Sequence, residues 1–192
     1  MYDVTRVSLL ERVRNAEDEK SWQEFYDLYA PMVLAYARAR GLDPDSAEEV
    51  MQECMASLAR RMKTFEYSPE KGHFKGWVRT MVNRQVVSFI RKRREVHADT
   101  ARLNLLEDTH PGVSDAWDHA WHTQRLRYCL ERVREQVDSH TYQAFTHYVL
   151  DEWPVEKVAN DLAMSTNQVY LAKSRFTKML KSRMLELLGD EE

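Results

Sequence analysis

The sequence predicts an all-α protein of two small helical domains joined by a linker, the C-terminal one a helix-turn-helix. Apolar residues recur at spacings of three and four through most of the chain, the period of an amphipathic helix. Of 192 residues only 5 are Gly and 5 are Pro, while 43% are hydrophobic and 31% charged, which suits a folded helical protein rather than a sandwich or a disordered chain. Near the middle the period fades, acidic residues gather, and His110-Pro111-Gly112 signals a turn, so the linker belongs there. The boundaries expected are residues 1–95 for the first domain, 96–120 for the linker and 121–192 for the second domain.

The elements follow in order. Trp22, Phe25, Tyr29, Met32, Val33 and Tyr36 form the apolar face of a helix, with a kink expected at Pro31 and an end at Gly41 and Pro44. Asp45 or Ser46 is expected to cap the next helix, which turns Ala47, Val50, Met51, Cys54, Met55, Leu58 and Met62 inward and Glu48, Glu49, Gln52 and Glu53 outward. A polar loop from Glu66 to Gly72 leads to a third helix with Phe74, Trp77, Val78, Met81, Val82, Phe89 and Ile90 on one side. Beyond the linker, Trp121, Leu126, Leu130, Val133 and Val137 mark one helix, and Tyr142, Phe145 and Val149 another. Pro154 suits a helix start, and Ser165 or Thr166 is expected to cap a last helix with Val169, Phe176, Leu180, Met184 and Leu187 inward.

Charge and cysteine content narrow the class of function. A net charge of −3 argues against coating nucleic acid by bulk electrostatics. Two local stretches nevertheless hold cations without any acid: Lys75, Arg79, Arg84, Arg91, Lys92, Arg93 and Arg94, then Lys173, Arg175, Lys178, Lys181 and Arg183. Cys54 and Cys129 sit far apart within apolar patterns and are expected to be core thiols, with neither a disulfide nor a thiolate metal site. The first residues lack a signal-peptide pattern and no segment approaches the roughly 18 apolar residues of a membrane span, so a cytoplasmic protein without membrane association is expected.

Two segments carry chemistry. A helix from Val155 to Ala163, a short turn and a helix from Thr166 make a helix-turn-helix, whose second helix enters the major groove. Ser165, Thr166, Asn167, Gln168, Tyr170 and Lys173 lie at its start; Asn and Gln pair with adenine, and Lys and Arg with guanine or phosphate. The same residues also suit a solvated helix start, so the motif alone leaves both readings open. In the first half, a basic helix beside Phe65, Tyr67, Phe74 and Trp77 suits unstacked bases on aromatic rings, although the register of Trp77 with Val78 and Met81 favours a core position for that ring.

Three stretches resemble the extracytoplasmic-function group of the sigma-70 family of bacterial RNA polymerase sigma factors. Glu49-Val50-Met51-Gln52-Glu53 is similar to the helix that binds the β′ coiled coil of core polymerase, with Glu in place of the usual Asp. Phe74-Lys75-Gly76-Trp77-Val78, Asn83 and the run Arg91-Lys92-Arg93-Arg94 are similar to the helix that recognises and melts the −10 promoter element. Val155-Glu156-Lys157-Val158-Ala159 through Val169 and Lys173-Ser174-Arg175 resemble the helix-turn-helix that reads the −35 element. The resemblance implies a core-polymerase surface of Glu49, Gln52, Glu53 and Met55, and −10 contacts from Lys75, Arg79, Asn83, Arg84, Arg91, Arg93 and Arg94. It assigns −35 contacts to Ser165, Thr166, Asn167, Gln168, Tyr170, Lys173 and Arg175.

The resemblance also implies that the loop Glu66–His73 captures a flipped base and that the acidic stretch Glu107–Asp118 threads through polymerase. The implied partners are core RNA polymerase through its β′ and β subunits, promoter DNA, and an anti-sigma factor as a candidate; catalytic residues, metal and cofactor are not expected. Two departures stand out. Ala163 occupies a turn position where many such motifs have Gly, and Lys173-Ser174-Arg175 falls about one helical turn later than is common, which brings Tyr170 and Leu171 near the groove. Two other readings compete. A regulator that binds operators without polymerase leaves the Gln52-Glu53 surface unexplained, and a metal enzyme built on Asp118, His119 and His122 lacks a second ligand cluster.

Overall fold

The structure, a computed structural model, describes residues 9–64, 74–97 and 111–189. Among these every regular element is a helix: α1 (Leu9–Arg12), α2 (Glu19–Ala39), α3 (Pro44–Met62), α4 (Phe74–His97), α5 (Pro111–Arg134), α6 (Ser139–Phe145), α7 (Val155–Asp161) and α8 (Thr166–Gly189). A π-turn, Thr146–Leu150, continues α6. The fold is therefore all-α, as predicted. It divides into two compact units, one ending its main stretch at Gln124 and the other covering Arg125–Gly189.

Three helices begin with the same device. The carboxylates of Asp18, Asp43 and Asp138 accept the backbone N–H of the residue three positions on, at 3.0, 3.0 and 2.8 Å. Each also accepts that residue's hydroxyl, from Ser21, Ser46 and Thr141. Both bonds satisfy donors that a helix start otherwise leaves orphaned. For α3 this moves the cap from the expected Asp45 or Ser46 to Asp43. Pro44 follows as the first helical residue, where its missing N–H costs nothing and its backbone angle is already helical.

Two helices end alike. After α2, Gly41 has a φ of +86°, its N–H reaches Arg38 O at 2.9 Å, and the Leu42 N–H reaches Ala37 O at 3.3 Å. After α7, Ala163 has a φ of +52°, its N–H reaches Asn160 O at 3.4 Å, and the Met164 N–H reaches Ala159 O at 2.8 Å. Both are Schellman endings, which need one left-handed residue. Glycine meets that need without strain, whereas alanine adopts it at a cost of about 1 kcal/mol.

The first unit packs α2 against α3 and α3 against α4, with α1 on α2. Phe25, Val33, Tyr36, Val50, Cys54, Leu58, Phe74 and Val82 are fully buried between them. Burial pushes the Cys54 thiol up to about 12, so it stays neutral, in keeping with a core role. Pro31 lies inside α2, which continues to Ala39. The side chain of Trp77 is half-buried with its ring 5.7 Å from that of Phe74, a packing position.

α5 departs from the sequence expectation. It begins at Pro111, inside the stretch 96–120 expected as linker, rather than near Trp121. The turn signal of Pro-Gly is overridden because a proline also suits a first helical turn. Trp117 and Trp121, one turn apart, then bury themselves in the first unit, their rings 5.2 Å from Tyr36 and 5.7 Å from Tyr29. Residues 98–110 of the expected linker lie outside the described residues.

In the second unit, Phe145 stacks on Phe176 at 4.0 Å and packs with Val133. Val158 and Ala159 of α7 pack with Val169 and Ala172 of α8, while Met164 and Leu162 close the turn side of this cluster. Met164 precedes the cap of α8 and packs against the cluster that holds Val169, the place an apolar staple takes where a chain enters a helix. The corner between α7 and α8 is thus held by a Schellman ending and a stapled start.

Candidate nucleic-acid and partner interfaces

On α3 the outward face carries Glu49, Gln52 and Glu53, all exposed. Met55, which the resemblance placed with them, is buried at 8% exposure, as its position on the apolar face of the helix predicts, since the 3.6-residue period turns it toward Met51 and Leu58. Tyr26 of α2, which sequence periodicity did not single out, is 44% exposed and directs its hydroxyl at the Met51 sulfur, 3.8 Å away. An acidic stripe with an aromatic edge therefore lies open on this side of the first unit.

The basic helix α4 distributes its charges unevenly. Arg84, Arg91, Lys92 and Arg93 are exposed, whereas Lys75 and Arg79 are half-buried. Lys75 pairs with Asp118 at 2.7 Å and lies 5.8 Å from the Trp121 ring centroid, and Arg79 donates to the Ser114 hydroxyl at 3.3 Å. Such a partly exposed ion pair is worth at most about 1 kcal/mol, too little to withhold Lys75 from a phosphate. Arg93 donates to Asp43 and to Ser46, tying α4 to the first turn of α3.

Asn83, expected near DNA, is buried at 1% exposure. Its Oδ1 accepts from the Tyr36 hydroxyl at 2.8 Å and from Arg40 Nη1 at 2.5 Å, and Arg40 also donates to the Tyr36 oxygen at 2.7 Å. A buried amide needs such partners, so Asn83 sits in a polar knot between α2 and α4. The side chain of Arg94 and the loop 65–73, expected to capture a base, lie outside the described residues.

At the start of α8 the backbone N–H of Ser165 donates to Gln168 Oε1 at 2.7 Å, while the Gln168 N–H donates to Ser165 Oγ at 3.2 Å. This is a reciprocal capping box, so both side chains already serve the helix start. Thr166, Asn167, Tyr170, Lys173 and Arg175 are exposed on the same helix, Tyr170 at 48% and its neighbour Leu171 at 60%. Tyr148 of the π-turn, absent from the sequence reading, meets Tyr170 edge-on at 5.7 Å and has the Lys173 ammonium 5.2 Å from its ring. A π-turn adds a residue to the helical repeat, so the three- and four-residue spacing read from sequence loses register there. The exposed start of α8 therefore carries a polar, aromatic and cationic set in the layout of a groove-reading helix.

Asp118, which the metal-enzyme alternative needs beside His119 and His122, is committed to Lys75, and both histidines are exposed. Among the described residues no three metal-ligating side chains converge. Nor is any helix among them long and apolar enough to cross a membrane.

An acidic outward helix, a basic helix and a helix-turn-helix on an all-α chain are the layout in which DNA-binding proteins of the transcription machinery are built. Residues 25–96, which run from α2 through α4, match the Sigma-70 region 2 family. The chain is 24% identical over 139 residues to the ECF RNA polymerase sigma factor RpoE of Cereibacter sphaeroides, an alignment that covers 72% of this chain and 75% of that protein. Residues 25–96 are thus similar to sigma-70 region 2, and the chain at large is similar to an extracytoplasmic-function sigma factor.

Proposed function

We propose that this chain is a sigma factor that binds core RNA polymerase through the α3 stripe of Glu49, Gln52 and Glu53 and directs promoter-specific initiation through the −10 and −35 elements. The family match over residues 25–96 carries the reading, since it spans the helices that hold both the acidic stripe and the basic one. In this account Arg84, Arg91 and Arg93 follow the phosphates of the −10 region, and Lys75 and Arg79 join them. Asn83 acts as the polar knot that fixes α4 to α2. Functionally the chain divides near the expected limits, with residues 1–95 serving polymerase and the −10 element and 121–192 the −35 element, and residues 96–120 connecting them.

At the −35 element, Asn167, Tyr170, Lys173 and Arg175 meet bases and phosphates, while Ser165 and Gln168 hold the start of the reading helix and Thr166 lies beside them. An overall charge of −3 opposes DNA binding by the chain alone. Core polymerase offsets this by fixing the two reading segments at a set spacing, which lowers the ordering cost of engaging both. An anti-sigma factor would compete for the same amphipathic faces.

The direct test is run-off transcription from a promoter library with purified core enzyme. Initiation that depends on this chain and selects both elements supports the reading. A chain that binds operator-like DNA yet fails to bind core polymerase overturns it in favour of an ordinary helix-turn-helix regulator.

A further inference from the structure

The helix-turn-helix leaves one residue without a role. Tyr148 is anchored from below, packing on the cluster of Ala144, Val158, Ala159, Val169 and Ala172. From above it is bracketed by two exposed side chains of α8, the Tyr170 ring at 5.7 Å and 77° and the Lys173 ammonium at 5.2 Å from its centroid. Tyr170 and Lys173 are three residues apart and so share a face of the helix.

The π-turn accounts for this placement. The Asp151 N–H bonds to Thr146 O at 2.9 Å, one residue longer than an α-helical bond. One extra residue shifts the phase of the turn by about 100°, the rotation per residue of an α-helix. The turn is pinned at its far end. The Trp153 N–H bonds to His147 O at 2.9 Å, the two rings stack at 4.4 Å and 7°, and Lys157 lies 3.5 Å from the Trp153 ring. Glu152 between them adopts a φ of +55°, a strained conformation retained only where its surroundings over-determine it.

We infer that Tyr148 is a positioning residue for −35 recognition: held by the π-turn, it fixes the directions in which Tyr170 and Lys173 leave α8 and so shapes base preference without touching DNA. The inference rests on α8 being the −35 reader. Lys173 has four side-chain torsions and an exposed tyrosine two; restraining them before binding removes part of the ordering cost that flexible contacts carry.

The experiment is transcription by the reconstituted holoenzyme from promoters randomised at the −35 element, with the −10 element held constant. Three chains are compared: the parent, Tyr148→Phe and Tyr148→Leu, the last filling the core beneath without a ring. Tyr148→Phe should keep the parent's base ranking. Tyr148→Leu should flatten discrimination at one or two adjacent base pairs by about tenfold, the scale of one good base contact, with core affinity and −10 preference unchanged. A parent-like ranking in Tyr148→Leu overturns the inference while leaving the −35 reading intact. Absence of −35 preference in the parent overturns the reading of α8 and the inference with it. Should Tyr148→Leu unfold the second unit, Tyr148→Met, which also fills the core beneath without a ring, takes its place, and a parent-like base ranking there overturns the inference.

Discussion

Arg93 of α4 donates to the carboxylate of Asp43 at 2.5 Å, so a cation near the end of the basic stripe also secures the first turn of the acidic helix α3. One residue thereby links the surface proposed for −10 DNA to the surface proposed for core polymerase.

This link has a pH signature. The Ser46 backbone N–H, then Arg93, hold the Asp43 carboxyl far below the usual carboxylate range. A depressed folded-state value means that its contribution is present above the unfolded value, about pH 4, and is lost as pH falls through the folded one. Asp43→Asn retains a good helix cap without a titrating group. Melting temperatures recorded from pH 6 down to pH 2 should therefore decline less steeply for Asp43→Asn than for the parent; identical slopes would show that Asp43 does not contribute.

The two Schellman endings predict opposite outcomes for reciprocal substitutions. Gly41→Ala should destabilise by about 1 kcal/mol, wholly from the backbone, since an added Cβ meets no atom within 4 Å. Ala163→Gly should stabilise by up to about 1 kcal/mol, less the entropy that glycine adds to the unfolded chain. Urea denaturation of each variant checks both signs.

Removing the hydroxyl in Ser165→Ala breaks one half of the capping box and should cost about 1 kcal/mol of stability. The same denaturation series measures it, and a loss below a few tenths would mean that the box contributes little.

On α3, exposed and buried neighbours should separate function from stability. Gln52→Lys with Glu53→Lys should lower core-polymerase affinity tenfold or more by placing like charge at the interface, roughly 1.4 kcal/mol or above, while melting stays near the parent's because both side chains are exposed. Met55→Ala should instead cost about 2–5 kcal/mol of stability as a buried truncation. Affinity by competition binding and melting by circular dichroism distinguish the two patterns.

Asn83→Leu should lose about 1–3 kcal/mol by leaving the buried Tyr36 hydroxyl and Arg40 short of their amide partner. If DNA affinity of the holoenzyme falls with no change in melting, Asn83 contacts DNA and its assignment to the polar knot is wrong.

Sequence periodicity alone determined the helical class, the cores of α2, α3, α4 and α8, the helix-turn-helix and the two basic stripes. Each is a local pattern, written in spacings of three and four or in runs of like charge, and such patterns survive folding because the chain itself sets the helical repeat. At Ala163 the sequence marked a turn position where many such motifs have Gly, and the structure supplied its left-handed backbone, with a φ of +52°.

Other features depended on residues distant in the chain. Asn83 falls within a motif yet lies inward, because burial is decided by which helix packs opposite. The start of α5 was hidden because Pro111-Gly112 has the form of a turn signal, and only the burial of Trp117 and Trp121 against Tyr36 and Tyr29 makes that stretch helical. Tyr148 escaped notice because a π-turn breaks the repeat on which every periodic argument relies. Only tertiary packing brings its ring beneath Tyr170 and Lys173, some twenty residues further along the chain.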